Sequence, residues 1–295
     1  MKFGVAFANI GPAVEPDGAV HLAKSCEEAG IESLWTVEHV AVPSGYRAQY
    51  PYSADGRMPG PDDSPIPDPL IWLAYVAAET TKLRLATGIL ILPQRHPIYV
   101  AKEVATLDVL SKGRAILGIG IGWMEDEFRA LGIPFEERVS RTEESCAALR
   151  SLWSAGAQSF KGEHFAWDSL ESNPKPVQPG GPPIVVGGHV LGAARRAARV
   201  GDGFFPMKTE GDRLGELLAA LGDECARVGR DPAKIEVTTS APGNLYGGAP
   251  GDALDAIRRL EDQGVSRLVT GPPGFTRDAI RDGLARFADT VLAKL

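Results

Sequence analysis

The chain has 295 residues, with 38 acidic and 31 basic side chains and a formal charge of −7. That balance speaks against nucleic acid or an anionic membrane as a general partner. Three cysteines cannot form a disulfide framework, and Cys26, Cys146 and Cys225 each fall among apolar residues at helical spacing, as buried thiols in a reducing compartment would. The opening apolar run is broken by Gly11-Pro12. It is too short for a signal peptide core or a bilayer span and reads as a first strand, so the expected location is the cytoplasm.

Eight short apolar runs predict strands, at 2–8, 33–37, 83–91, 114–121, 184–187, 203–206, 235–240 and 266–270. Their hydrophobicity is continuous rather than alternating, which fits strands covered on both faces of a parallel sheet. Helical stripes lie between them. Ala19, Leu22, Ala23 and Cys26 form one that Gly30 ends. Leu214, Leu217, Leu218, Leu221 and Cys225 form another, followed by Leu254, Ile257 and Leu260, and by Ile280, Leu284, Phe287 and Val291. Eight βα units predict an α/β protein of the (β/α)8 TIM-barrel class, one domain over 1–295. An open doubly wound sheet is the alternative, but the first turn, Asn9-Ile10-Gly11-Pro12, lacks the dinucleotide fingerprint.

Two insertions interrupt the rhythm. Residues 41–69, after the second strand, hold seven prolines and Tyr46, Tyr50 and Tyr52. A loop this long at the C-terminal face of a barrel reads as a wall or lid over a substrate. Residues 156–183, before the fifth strand, read as a small hairpin in which His164 is structural.

Chemistry in a barrel belongs at strand ends. The second strand runs into Glu38-His39, an acid and an imidazole able to move protons near neutral pH. The third holds Thr87-Gly88-Ile89 and leads to Arg95 and His96, which either touch an anion or cap the next helix. The fourth ends in Gly118-Ile119-Gly120-Ile121-Gly122-Trp123. Alternate glycines leave bare backbone for a flat ring or permit tight packing inside the barrel. The acidic trio Glu125, Asp126 and Glu127 reads as compensation of a helix dipole. The fifth strand ends in Gly187-Gly188-His189 before a helix, where free N–H groups favour phosphate. The five histidines are scattered, and no metal motif or acyl-hydrolase elbow occurs. A chain without its own catalytic kit is suited to a bound cofactor.

Taken together, Ser33-Leu34-Trp35-Thr36-Val37-Glu38-His39, Leu92-Pro93-Gln94-Arg95-His96-Pro97, Leu110-Ser111-Lys112-Gly113-Arg114, the fourth-strand glycines, Gly187-Gly188 and Gly201-Asp202-Gly203-Phe204 resemble the luciferase-like flavin and deazaflavin oxidoreductases. They are most similar to the branch using coenzyme F420, a deazaflavin with a phosphate-bearing tail. The resemblance implies hydride transfer between that coenzyme and a small organic substrate at the C-terminal face. It places His39, with Glu38, at the reacting ring, and a cis peptide at Gly88-Ile89. It assigns the coenzyme to Thr87, Gly88, Ile89, Gly120, Gly122, Asp126, Gly187, Gly188, His189 and Pro206, and the substrate pocket to Trp123, Tyr46 and Tyr50. Related sugar-phosphate dehydrogenases carry a glutamate where this chain has Trp123, so a flatter or more apolar substrate is expected. Other readings are an FMN-dependent monooxygenase with a partner reductase and a non-catalytic flavin-binding protein. A homodimer is the assembly the resemblance implies.

Overall fold

The computed structural model describes residues 1–207, 209–247 and 251–295. Its strands are β1 (Lys2–Ala6), β2 (Ser33–Thr36), β3 (Arg84–Thr87), β4 (Leu90–Ile91), β5 (Ala115–Gly120), β6 (Gln158–Lys161), β7 (Ala166–Leu170), β8 (Ile184–Gly187), β9 (Gly203–Phe205), β10 (Glu236–Ser240) and β11 (Val265–Thr270). All except β6 and β7 form one parallel sheet in the order β3-β2-β1-β11-β10-β9-β8-β5-β4, and a further β3–β5 pairing closes it into a barrel. The expected third strand is split. Leu85 and Ala86 pair with Ala115 and Ile116, Leu90 and Ile91 pair with Ile119 and Gly120, and the Gly88–Ile89 peptide between them is cis.

Helices α1 (Pro16–Glu28), α2 (Pro69–Ala77), α3 (Pro97–Leu110), α4 (Glu125–Ala130), α5 (Arg138–Trp153), α6 (Leu191–Val200), α7 (Arg213–Val228), α8 (Gly251–Asp262) and α9 (Arg277–Thr290) connect the strands. In α1 the stripe Ala19, Leu22, Ala23 and Cys26 is buried as its spacing requires. Gly30, at φ +82°, ends the helix in a Schellman turn. Its N–H bonds Glu27 O at 3.2 Å and that of Ile31 bonds Cys26 O at 2.9 Å. Helix α2 has no sequence signature of this kind, because Ile71 and Tyr75 on its outer side are as apolar as Leu70, Leu73 and Val76 on its inner side. The 156–183 insertion contains the antiparallel β6–β7 hairpin. Glu144 of α5 holds its tip by accepting the N–H groups of Glu163 and Phe165 at 2.8 and 2.7 Å, and His164 bonds Ser140 Oγ at 2.8 Å.

The main core lies between barrel and helices. A second fills the barrel itself with Ala6, Trp35, Ala86, Ile116, Val185, Phe205 and Val269. The Trp35 and Phe205 rings meet edge to face at 5.2 Å. At the N-terminal end, fully buried Arg267 bonds Glu32 and Glu236, each at 2.9 Å, and lies under Trp35. That end is sealed by packing and paired charge, and the opposite, C-terminal end carries the loops on which barrels place their chemistry. Among the described residues no helix is long and apolar enough to cross a membrane.

Candidate active site

Strand β2 delivers Glu38 and His39 to the mouth, and their side chains diverge. Glu38 accepts the Ile91 N–H at 2.5 Å and Arg95 Nε at 2.8 Å, and Arg95 Nη2 bridges Glu38 and Asp68. Burial pushes the Glu38 carboxyl above its ordinary value, against the pull of Arg95 and the Ile91 N–H. Asp68 also caps α2, accepting from Leu70 and Ile71 at 2.9 Å. Glu38 therefore fastens β2 to β4 and, through Arg95, to the start of α2.

His39 turns toward α4, with Nδ1 3.0 Å from Glu127 Oε2. Glu127 is 1% exposed, and its other oxygen accepts the N–H groups of Val40 at 2.6 Å and Ala41 at 3.1 Å. Burial works to raise its pKa, but His39, Gln94 and the Ala41 N–H outweigh this and hold it below the usual carboxylate range. An ionised carboxylate only accepts, so Nδ1 carries a proton and the imidazole is held in one orientation. No hydrogen bond from the described residues engages Nε2, which is left to meet a ligand.

Residues 41–69 supply the wall. Trp123 meets His39, Tyr46 and Tyr50 with ring centroids 5.6, 5.5 and 5.1 Å apart. Tyr50 continues to Tyr52 at 5.4 Å, and Tyr52 to His189 at 5.0 Å, beyond the end of β8. This line of rings crosses from the end of β5 to the end of β8. Asp126 pins it by accepting the N–H groups of Arg47 at 3.0 Å and Ala48 at 3.2 Å. Arg57 lies 3.9 Å above the Tyr46 ring, and the Tyr46 hydroxyl accepts the Met58 N–H at 2.8 Å. Burial pushes the Tyr52 phenol up to about 12 and that of Tyr50 above its ordinary value.

The remaining expected residues lie at and just beyond the ends of β3, β5, β8 and β9. Thr87 is engaged by the barrel, its hydroxyl donating to Gly118 O at 2.6 Å. A Cβ on Gly120 would lie 2.6 Å from Ile89 Cδ1, and one on Gly187 2.8 Å from Ile89 Cγ2. These glycines make room for the half-buried Ile89, which presents an apolar surface at the mouth. Gly122, at φ +77°, packs against Phe128. Gly188 donates to Phe205 O at 3.2 Å, Arg213 bonds His189 O at 2.9 Å, and buried Pro206 accepts from Thr239 Oγ1 at 2.8 Å. Helix α6 starts without a side-chain cap. Its first N–H to find a carbonyl is that of Ala193, so those of Leu191 and Gly192 remain at the helix end, with open space beside Gly192. An apolar platform, a fixed imidazole and an uncapped helix N-terminus fit a flat ring with an anionic tail.

Glu127 is the functional residue that the acidic trio conceals. Its signal lies in its neighbours, since Glu127 sits beside buried Phe128 and three residues after buried Met124 at the helix cap, which puts an acid among apolar positions at spacing i, i+3, i+4.

Residues 1–245 match the luciferase-like monooxygenase family, and the chain belongs to it. It is 32% identical over 286 residues to an uncharacterized protein of Mycobacterium tuberculosis, covering 94% of this chain and 95% of that one. It is 33% identical over 229 residues to the F420-dependent glucose-6-phosphate dehydrogenase of Kineococcus radiotolerans, covering 76% of this chain and 62% of the relative. The coenzyme F420-dependent tetrahydromethanopterin reductase of Methanopyrus kandleri superposes with a TM-score of 0.74 at 18% identity, over 99% of each chain. That likeness concerns the barrel fold.

Proposed function

We propose that the protein is an oxidoreductase that transfers a hydride between coenzyme F420 and a small organic substrate. The observation that carries this reading is the imidazole of His39, fixed by buried Glu127 at the C-terminal end of the barrel. The dehydrogenase relative of Kineococcus radiotolerans supports the choice of coenzyme. When bound, the deazaflavin supplies or accepts the hydride. Ile89 would support its ring, and the N–H groups of Leu191 and Gly192 would hold its phosphate. His39 Nε2 gives a proton to the substrate oxygen in one direction and takes it in the other. Glu127 receives Nδ1–H in both states of the ring, so the imidazole keeps its orientation as Nε2 gains or loses the proton. The 41–69 wall excludes water.

An FMN-dependent monooxygenase with a partner reductase is the second reading, favoured by the activity named in the family's description. A second copy of the chain is the proposed partner in either case, supported by exposed Ile71 and Tyr75 on α2 and Tyr99 and Leu110 on α3. Buried free thiols support the cytoplasm as its compartment.

The test is His39→Ala. Turnover of reduced deazaflavin with an accepted substrate should fall roughly 10²-fold or more while coenzyme affinity stays within a few-fold. Unchanged turnover contradicts the assignment.

A further inference from the structure

Just before His39 the chain leaves the sheet, and a side chain takes over from the backbone. The last backbone bond between the ends of β1 and β2 is Ala8 N–H to Trp35 O at 3.0 Å. Phe7, at φ +56°, turns the first strand out of line, and the chain passes into the 3-10 turn Gly11–Val14. A residue as bulky as phenylalanine keeps that conformation only where its surroundings hold it. Asn9 fills the flank of Val37 that β1 has left. Its Oδ1 accepts the Val37 N–H at 2.8 Å, and its Nδ2 donates to Val37 O at 2.9 Å. One amide thus engages both backbone groups of Val37, as a neighbouring strand would.

Nδ2 also donates to Pro67 O at 2.9 Å, which joins the two ends of the wall. Asn9 ties 37 to 67 as Arg95 ties 38 to 68, the first tie neutral and the second ionic. Asn9 is fully buried, and both of its N–H donors are engaged. On the other flank, the Ile91 N–H on Glu38 holds the same stretch to β4. The end of β2 is therefore suspended between β1 and β4. Removing the amide would leave the Val37 N–H and two carbonyl oxygens without their partner.

We propose that Asn9 is a positioning residue of the site. It fixes the backbone from which His39 reaches Glu127, and it couples that backbone to the returning end of the 41–69 wall, so that imidazole and wall keep one spacing. Its importance for the reaction rests on the reading of His39 as the proton-transferring group. Arg95 still joins 38 to 68 when Asn9 is replaced, so the barrel can close without the amide.

The experiment compares Asn9→Ala and Asn9→Leu, the second keeping bulk without hydrogen bonds, in the full chain without coenzyme. Nitrogen-15 NMR follows the Nδ1–H of His39, assigned by its absence from the His39→Ala spectrum. Hydrogen exchange with mass spectrometry follows peptides covering 36–41 and 62–70. In both variants the His39 signal should shift and its proton exchange at least about tenfold faster, and both peptides should loosen together by a similar factor. Leu221→Ala, which opens a cavity under α7 away from the mouth, is the control for lost stability and should leave the His39 signal and both peptides unchanged. An unaltered His39 signal in Asn9→Leu would overturn the proposal, as would loosening of one peptide alone or the same changes in Leu221→Ala. Loss of the folded barrel in Asn9→Leu would make Asn9 a part of the core and overturn it too. Unchanged turnover in His39→Ala defeats the proton-transfer reading instead, and the coenzyme-free measurements still decide whether Asn9 positions the imidazole.

Discussion

At Glu127 one carboxylate orients the imidazole of His39 and, through the N–H groups of Val40 and Ala41, fixes the start of the 41–69 wall. In Glu127→Gln the amide oxygen can still accept from the loop, which turns the NH₂ toward Nδ1. The neutral ring then has to carry its proton on Nε2, the wrong tautomer for accepting one there. We expect turnover to fall roughly 10²-fold or more, with much smaller effects on binding. The same change alters acid stability. The Glu127 pKa is depressed in the fold, so its contribution is present above the unfolded value of about 4.3 and is lost as pH falls through the folded value. Urea midpoints measured from pH 6 down to pH 3 should therefore fall more steeply for the unaltered protein than for Glu127→Gln, and parallel curves would contradict the dyad. Sequence reading reaches His39 because a strand end announces it. It passes over Glu127 because three consecutive acids at a helix start have an ordinary electrostatic explanation, and only the helix's inward face selects one of them.

Among the elements, the strands are legible because a parallel barrel buries both faces, which leaves apolar runs such as Ile184–Gly187 and Val265–Thr270. Helix α2 is hidden by its apolar outer side. Periodicity reads 83–91 as one strand, and the break between β3 and β4 falls at Gly88–Ile89, the peptide that the resemblance marks as cis. The long loop is recognised by length and prolines, but its anchoring is tertiary and depends on α4. Asp126 is the loop's second clasp, and its carboxyl is held below the ordinary range chiefly by the N–H groups of Arg47 and Ala48. Asp126→Ala should release this stretch without disturbing the barrel. Hydrogen exchange followed by mass spectrometry should show peptides within 41–60 exchanging several-fold faster, with the thermal midpoint nearly unchanged. Unaltered exchange there would show that the clasp is dispensable.

Across the whole molecule, the inward faces of α1, α5 and α7 carry Cys26, Cys146 and Cys225, exposed by 0, 2 and 0% respectively. Burial raises each thiol's pKa, that of Cys146 to about 12. Because the thiolate is the reactive form, Ellman's reagent should find no accessible thiol in the folded protein and all three after unfolding. Fast reaction in the native state would mean that the helical layer is looser than the packing described here. The same layered design closes the N-terminal end of the barrel around Arg267 and leaves the C-terminal mouth to carry function. The most direct test of that assignment is a fluorescence titration of the protein with oxidised coenzyme F420, run beside FMN. Saturable binding of the deazaflavin at one equivalent per chain, in about the micromolar range and at least tenfold tighter than FMN, is the result predicted. No saturable binding of either, or tighter binding of FMN, would contradict it.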